Sequence, residues 1–501
     1  MKRRAFISVY DKASLEDFAR NLVEKFDYEI VSMGETYELL KSAGIEVIDI
    51  KDFAGTPNVL SGKFNALTET ILAGILQNTP DVEALNQVEK FAIKNFDMVV
   101  INMKPFEKIA LSSGNIDDIV KQVDIVESTL LRAAAKNYKN VTVICDKVDY
   151  YVALNANDYG RMKLAAKAFK IVSNYDNAVC SILSDEIGEK PFKNITLEKI
   201  CDMSHGENAH QKARMYKGDT MVAYEILNEK ELSYNDILNL TEVTNIVSEF
   251  YDMNAVAIAR HTKPCGVAFG KSIYEAYSKA FDCDPMSSYY GTVAFSNTVD
   301  IDTAKHVNSM SVEAVIAPDY DEKAKELLCE NPDLKIVKLI TPLKEYKKMY
   351  VEEIAVTPFA ILIQDRNSSE LNKEMFKVVT KEKPSADQVE DAIFGWKVAK
   401  YAKTNAALIV KNGKTLAISQ GHTNTISAVE SVLNMAADAA NEAVLVSDCA
   451  ISAEDCIYAA IQNRVGLIIQ PGGTVKDSRL IELCDKYGMA MITTGIRNYT
   501  H

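Results

Sequence analysis

No apolar run in this chain approaches the roughly 18 residues of a membrane-spanning helix, so no helical span is expected. The nine cysteines (Cys145, Cys180, Cys201, Cys265, Cys283, Cys329, Cys449, Cys456 and Cys484) include no Cys-x-x-Cys pair. Neither a zinc ribbon nor a disulfide framework is indicated, and reduced thiols fit a cytoplasmic location. A net charge of −14 argues against nonspecific nucleic-acid binding, since phosphate neutralisation needs clustered Lys and Arg. Any anionic substrate has to be met by locally placed basic residues. The start, Met1-Lys2-Arg3-Arg4, opens like a secretory leader, but Asp11, Lys12, Glu16 and Asp17 interrupt the apolar stretch such a leader needs. With 12 Pro and 21 Gly beside 48% hydrophobic residues, the composition is that of an ordinary globular protein.

Length 501 suggests roughly three domains of about 150 residues each. From residue 1 to about 190, short apolar runs alternate with helical patterns, as in a doubly wound parallel sheet. Ala5–Val9, Glu29–Ser32, Val47–Ile50, Met98–Asn102 and Val141–Cys145 are the expected strands. Leu15, Phe18, Ala19 and Leu22 mark a helix between the first two, and a long helix over Ala165–Asp185 leads into a polar connector, Gly188–Asn194. Further on, Ser385 and Gln388 fit a capping box. The helix they start carries Val389, Ala392, Ile393, Trp396 and Ala399 at helical spacing and should pack on a sheet, delivering Asn405 to the loop before strand Ala406–Val410.

A faint internal repeat is present. Ser296, a helical stretch and the apolar run Val312–Ala317 lead to Pro318; Ser447, a helical stretch and Val465–Gln470 lead to Pro471. Two similar α/β/α units are expected, dividing near residues 365 to 385.

Several blocks then occur in a telling order: Leu232-Ser233-Tyr234-Asn235, Arg260 to Gly266, Asp284 to Ser288, Trp396 to Asn405, Gln470-Pro471-Gly472-Gly473, and Gly488 to Met491 near Arg497. In these blocks the chain resembles the bifunctional AICAR transformylase/IMP cyclohydrolase family of purine synthesis, nearly end to end. The resemblance implies a methylglyoxal-synthase-like cyclohydrolase domain over 1–190 and a transformylase domain of two tandem cytidine-deaminase-like units, 200–375 and 376–501. It implies formyl transfer from 10-formyltetrahydrofolate to the ribotide, ring closure to IMP, and a homodimer whose transformylase sites lie between subunits. A His-x-Glu and Pro-Cys-x-x-Cys set is lacking, so the deaminase relation brings no catalytic metal.

By resemblance, His261 transfers the proton, Asn405 holds the amine and formyl groups, and Arg497 contacts the ribotide phosphate, with His205 and Asn208 on the same substrate. Arg260 stands where the family has Lys; it keeps the charge but gives up a Lys proton. Ser204-His205 replaces an Arg-Tyr pair, Cys449 to Ser452 an aromatic Phe-Phe-Pro-Phe run, and Ser419 to Thr425 a segment with a further Arg. Each candidate also has an ordinary reading. His261 before Pro-Cys-Gly fits a structural hydrogen bonder, Asn405 a loop residue, and Arg497 a solvated tail charge.

In the first domain the resemblance assigns Ser8, Lys12, Ser32, Gly34 and Thr36 to the phosphate, and Asp124 and Lys136 to catalysis. Small residues at a helix start let amides and hydroxyls surround an anion. Here Met33 and Glu35 intrude. Asn65 and Lys104 replace the family's Lys and Tyr, and Val126-Glu127 a Gly pair, so ring closure is the less supported activity. Two other readings stand beside the enzyme: a diverged relative binding another phosphorylated metabolite without purine-pathway catalysis, and a nonenzymatic partner-binding scaffold.

Overall fold

The computed structural model describes residues 2–55, 64–77, 82–106, 108, 115–188, 193, 195–218, 221–349, 352–370 and 375–501. The connector expected over Gly188–Asn194 lies largely outside the described residues. The chain forms two compact units, Met1–Thr196 and Leu197–His501.

In the first unit, β1 (Arg3–Val9), β2 (Tyr28–Ser32), β3 (Val47–Asp49), β4 (Met98–Asn102) and β5 (Thr142–Ile144) build one parallel sheet ordered β3-β2-β1-β4-β5. The strands read as apolar runs because helices cover both faces, as parallel crossovers require. The helix Leu15–Phe26 buries Leu15, Phe18, Ala19 and Leu22, the stripe its sequence spacing predicts. Strand order reverses between β1 and β4, and a doubly wound sheet opens a crevice at the carboxyl ends there.

The second unit carries β6 (Glu198–Met203) and β7 (Ala213–Lys217) as a separate pair, then β8 (Tyr224–Ile226), β9 (Asn254–Arg260), β10 (Lys263–Gly270), β11 (Thr292–Phe295), β12 (Ala314–Ala317) and β13 (Lys335–Leu339). Next in the chain is a hairpin of β14 (Glu352–Val356) and β15 (Ile361–Asp365). Then come β16 (Lys377–Val378), β17 (Ala407–Lys411), β18 (Lys414–Ser419), β19 (Val444–Ser447), β20 (Leu467–Gln470) and β21 (Ala490–Thr493). Twelve of these strands form one sheet in the order β16-β21-β20-β19-β17-β18-β10-β9-β11-β12-β13-β8. Read outward from the β18–β10 seam, each side has the same order, an antiparallel hairpin followed by parallel strands and a short antiparallel edge strand. The faint repeat in the sequence is therefore a repeat in topology.

The two faces of this sheet differ. On one, the helices Tyr234–Ser248 and Ala386–Ala399 share a single apolar cluster with strands of both repeats. On the other, each repeat has its own cluster. Both shared-face helices begin with a completed capping box, Ser233 with Asp236 and Ser385 with Gln388. In the second, Ala392, Trp396 and Ala399 of the predicted stripe are buried, Val389 and Ile393 are half-buried, and Phe394, Gly395 and Val398 are covered as well. A Cβ at Gly395 would lie 2.6 Å from a Val446 methyl carbon, so only glycine lets this helix sit so close to the sheet.

Candidate functional site

β9 and β10 are joined by His261 and Thr262 alone, a two-residue turn with φ of 54° and 57°. Both angles lie in the left-handed region, where a β-branched residue such as Thr262 is strained. A turn of this hand matches the twist of a hairpin, but Asn-Gly is the pair that makes it easily. Asn239, on the Tyr234–Ser248 helix, holds the turn by accepting from the Thr262 amide at 2.8 Å. His261 is exposed.

A cleft of about 320 Å³ opens beside this turn at the seam between the repeats. Arg260, His261, Lys263 and Asp284 line it from the first repeat, Ile418, Gln420 and Met435 from the second. Gln420 stitches the two sides, its Nε2 donating to the Pro264 carbonyl at 2.8 Å and its Oε1 accepting from the Lys403 amide at 3.1 Å. Three basic side chains therefore line one small cleft in a chain that is acidic as a whole.

Asn405 lies just before β17, at the edge of the sheet where β9 ends and β10 begins. Its Nδ2 donates to the His422 carbonyl at 3.0 Å. Its Oδ1 accepts from the Cys449 thiol at 3.0 Å and the Thr425 hydroxyl at 3.2 Å. Burial pushes the Cys449 thiol up to about 11, so it stays protonated and can donate. The neighbouring Asp448 accepts from Thr404 Oγ1 at 2.6 Å and from the Ala406 amide at 2.8 Å. The carboxy-terminal segment runs alongside, with the Thr404 amide donating to the Thr500 carbonyl. This brings Arg497 into the same neighbourhood, exposed and stacked 4.8 Å from the Tyr499 ring.

His205 and Asn208 lie between β6 and β7. His205 Nδ1 contacts Ser204 Oγ at 2.9 Å, and Asn208 donates to Gln211 at 2.9 Å from both its backbone and its side-chain nitrogen. Neither lines the cleft of His261.

In the first unit the cleft at the β1, β4 and β5 ends measures about 680 Å³ and is lined by Asp11, Lys12, Asn102, Met103, Cys145 and Lys147 among others. The hydroxyls expected there already have partners. Ser8 donates to Glu127 at 2.8 Å, Ser32 to the Ile7 carbonyl at 2.7 Å, and Thr36 bonds both backbone groups of Val9 at 3.1 Å. Lys12 pairs with Glu35 at 2.9 Å, and Gly34 opens its helix at φ 57°. Burial pushes the Glu127 carboxyl up to about 7, the Ser8 hydrogen bond opposing and Asp124 adding to the rise. Asp124 itself accepts from the amides of Glu127 and Ser128 and so caps the Val126–Lys136 helix. Lys136 stands exposed at the other end of that helix, and neither residue is among those lining the cleft.

Sequence patterns do not mark Asn239, Gln420, Lys263 or Thr425 as site residues. Asn239 could have been found: it is the sixth residue of its helix, the place Asp391 holds in the helix of the second repeat. No group of three or more His, Cys, Asp or Glu among the described residues could hold a metal ion, and no described helix is long and apolar enough to cross a membrane.

A family model described as the AICARFT/IMPCHase bienzyme matches residues 134–435, and one described as an MGS-like domain matches residues 14–129. Bifunctional purine biosynthesis protein PurH of Acetivibrio thermocellus is 37% identical over 518 residues, spanning all of both chains. The proteins of that name from Caldicellulosiruptor saccharolyticus and a Clostridium botulinum strain are each 38% identical, again over the whole of both chains.

Proposed function

The chain belongs to the AICARFT/IMPCHase bienzyme family, and we propose from that premise that it works in purine biosynthesis as a formyltransferase on AICAR, the first unit closing the product to IMP. The single observation that carries the transferase reading is the strained His261-Thr262 turn, set at the mouth of a basic cleft. A costly backbone conformation points to function more than to stability. An imidazole nitrogen can take up a proton and suits its removal from the amine as the formyl group arrives. Asn405, with its oxygen held by Cys449 and Thr425, presents an amide of fixed orientation to the amine and formyl groups. Arg497, with His205 and Asn208, is assigned to the ribotide. Arg260 supplies charge without an exchangeable proton, and 10-formyltetrahydrofolate is the proposed donor.

Ring closure is assigned to the cleft at the ends of β1, β4 and β5, with Ser8, Lys12, Ser32, Gly34, Thr36, Asp124 and Lys136 as its residues. Within this set Lys12 pairs with Glu35 and Ser8 with Glu127.

The test is an assay of formyl transfer by the full-length protein, with closure of the preformed formylated ribotide measured separately. His261→Ala is expected to lower kcat for transfer by about 10² to 10⁴ and leave closure unchanged. A parental kcat in that variant, or a folded parent protein with neither activity, would refute the assignment.

We further infer a homodimer, a cytoplasmic location and a division of the chain at 1–190, 200–375 and 376–501. The hairpin β14–β15 supports the dimer, since Ile354, Val356, Phe359, Ile361 and Leu362 all stand exposed on it. Light scattering should give about twice the 55.5 kDa chain mass; a monomer would exclude the dimer. Nine free cysteines support a reducing compartment.

A further inference from the structure

A second cavity in the Leu197–His501 unit, of about 390 Å³, lies apart from the His261 cleft. Its walls come from the helix Leu343–Lys348, the segment Asp365–Glu370, and residues just beyond the two shared-face helices. At its base is the buried carboxylate of Glu249. Lys400 reaches it at 2.9 Å, Lys347 at 3.1 Å and the Tyr401 hydroxyl at 2.9 Å. These partners hold Glu249 ionised below the usual carboxylate range despite burial.

One carboxylate does not balance the cations gathered around it. Lys344, Lys347 and Lys348 project from one side of a short helix at spacings i, i+3 and i+4, and Arg366 and Lys400 face the same space. Against these five stand Glu249, Asp365 and Glu370. Glu370, on a side chain 73% exposed, lies 2.8 Å from Lys347. It occupies the cation from the solvent side, where an entering anion would displace it. Lys344 and Lys348 form no ion pair among the described residues. Lys400 and Lys347 are well shielded, with side-chain exposures of 8% and 18%, so an anion beside them is screened less than at an open surface.

We propose that this cavity is a binding site for a small, multiply charged, phosphate-bearing anion, held by Lys344, Lys347, Lys348 and Arg366. Compact ammonium groups on flexible stems, with one guanidinium fork, suit phosphate oxygens. The proposal rests on charge and geometry outside the His261 cleft and does not depend on the formyl-transfer reading.

The protein carries a local reporter. Trp396 is its one tryptophan, and the Asn498 amide lies 3.1 Å from both the indole nitrogen and Asn367, which lines the cavity. Inorganic pyrophosphate titrated into the full-length protein should change Trp396 fluorescence saturably, with one site per chain by calorimetry. Lys344→Ala with Lys348→Ala should weaken that binding about tenfold or more while leaving formyl transfer unchanged. Glu370→Gln should tighten it. Arg260→Ala and Lys12→Ala should leave the fluorescence curve in place, since both lie outside this cavity. Absence of saturable binding up to about 10 mM pyrophosphate, or a double-lysine curve superimposed on the parent, would overturn the site. Tighter binding of citrate than of pyrophosphate would overturn the phosphate assignment.

Discussion

The two repeats of the second unit fold alike and handle the same hairpin differently. In the second repeat the β17–β18 turn is Asn412-Gly413, with φ of 57° and 67°, the residues that take this turn with least strain. Asp391 closes it with two hydrogen bonds, from the Asn412 amide at 2.8 Å and the Gly413 amide at 2.7 Å. A Cβ at Gly413 would lie 2.3 Å from the Phe269 ring, so the turn is packed shut. In the first repeat the equivalent turn is His261-Thr262, the equivalent helix residue is Asn239, and the turn faces a cleft. One copy keeps the stable solution; the other holds a strained turn with an exposed His261 beside the cleft.

The comparison breaks most sharply if the turns are exchanged. Writing the second turn into the first, as His261→Asn with Thr262→Gly, should raise the melting temperature by relieving about 1 to 3 kcal/mol of strain at each residue. The same double variant should lose formyl transfer by about 10² to 10⁴ in kcat. A swap that preserves activity would mean the turn's shape matters and its imidazole does not.

Next in size is the pair of helix residues behind the turns. Asp391→Ala orphans two amides and should cost about 2 to 4 kcal/mol in urea denaturation. Asn239→Ala orphans one and should cost about 1 kcal/mol, but lower kcat for transfer about tenfold with little change in KM. Equal stability losses with kcat untouched in both variants would remove Asn239 from any positioning role.

The narrowest effect, confined to high pH, concerns Glu242, whose equivalent in the second repeat, counted from the two capping serines, is Phe394. Phe394 packs on Phe250 and Phe269, while Glu242 Oε1 accepts no hydrogen bond among the described residues. Burial pushes this carboxyl up to about 7, with Lys403 and Arg366 opposing. Between the ordinary value of 4.5 and about 7, the unfolded chain releases a proton that the folded chain keeps. Stability from this group therefore falls as pH rises through that window. Glu242→Gln should gain up to roughly 3 kcal/mol over the parent near pH 8 and almost nothing near pH 4.5. A gain independent of pH would place the effect in packing.

The architecture was largely legible in the sequence, because apolar periodicity, caps and turn residues are local. The five parallel strands of the first unit match the expected runs to within a few residues, and Ser385 with Gln388 caps its helix as their spacing predicts. The candidate site was legible only in part. His261 and Asn405 could be named from motifs, but Gln420 ties the Lys403–Asn405 loop to the start of β10, 156 residues before it in the chain, at a seam no local pattern reveals. In the first unit, Glu35 stands out as an intrusion in the expected phosphate loop and Glu127 as a replacement in a Gly pair. That each holds a hydrogen bond to Lys12 or Ser8 needed coordinates.

The apolar layer common to both repeats has a consequence. One repeat alone would leave that layer half open, and the other covers it, the two meeting where β18 meets β10. Because both copies belong to one chain, their residues need not be identical. Each loop can differ from its counterpart while the layer beneath stays closed.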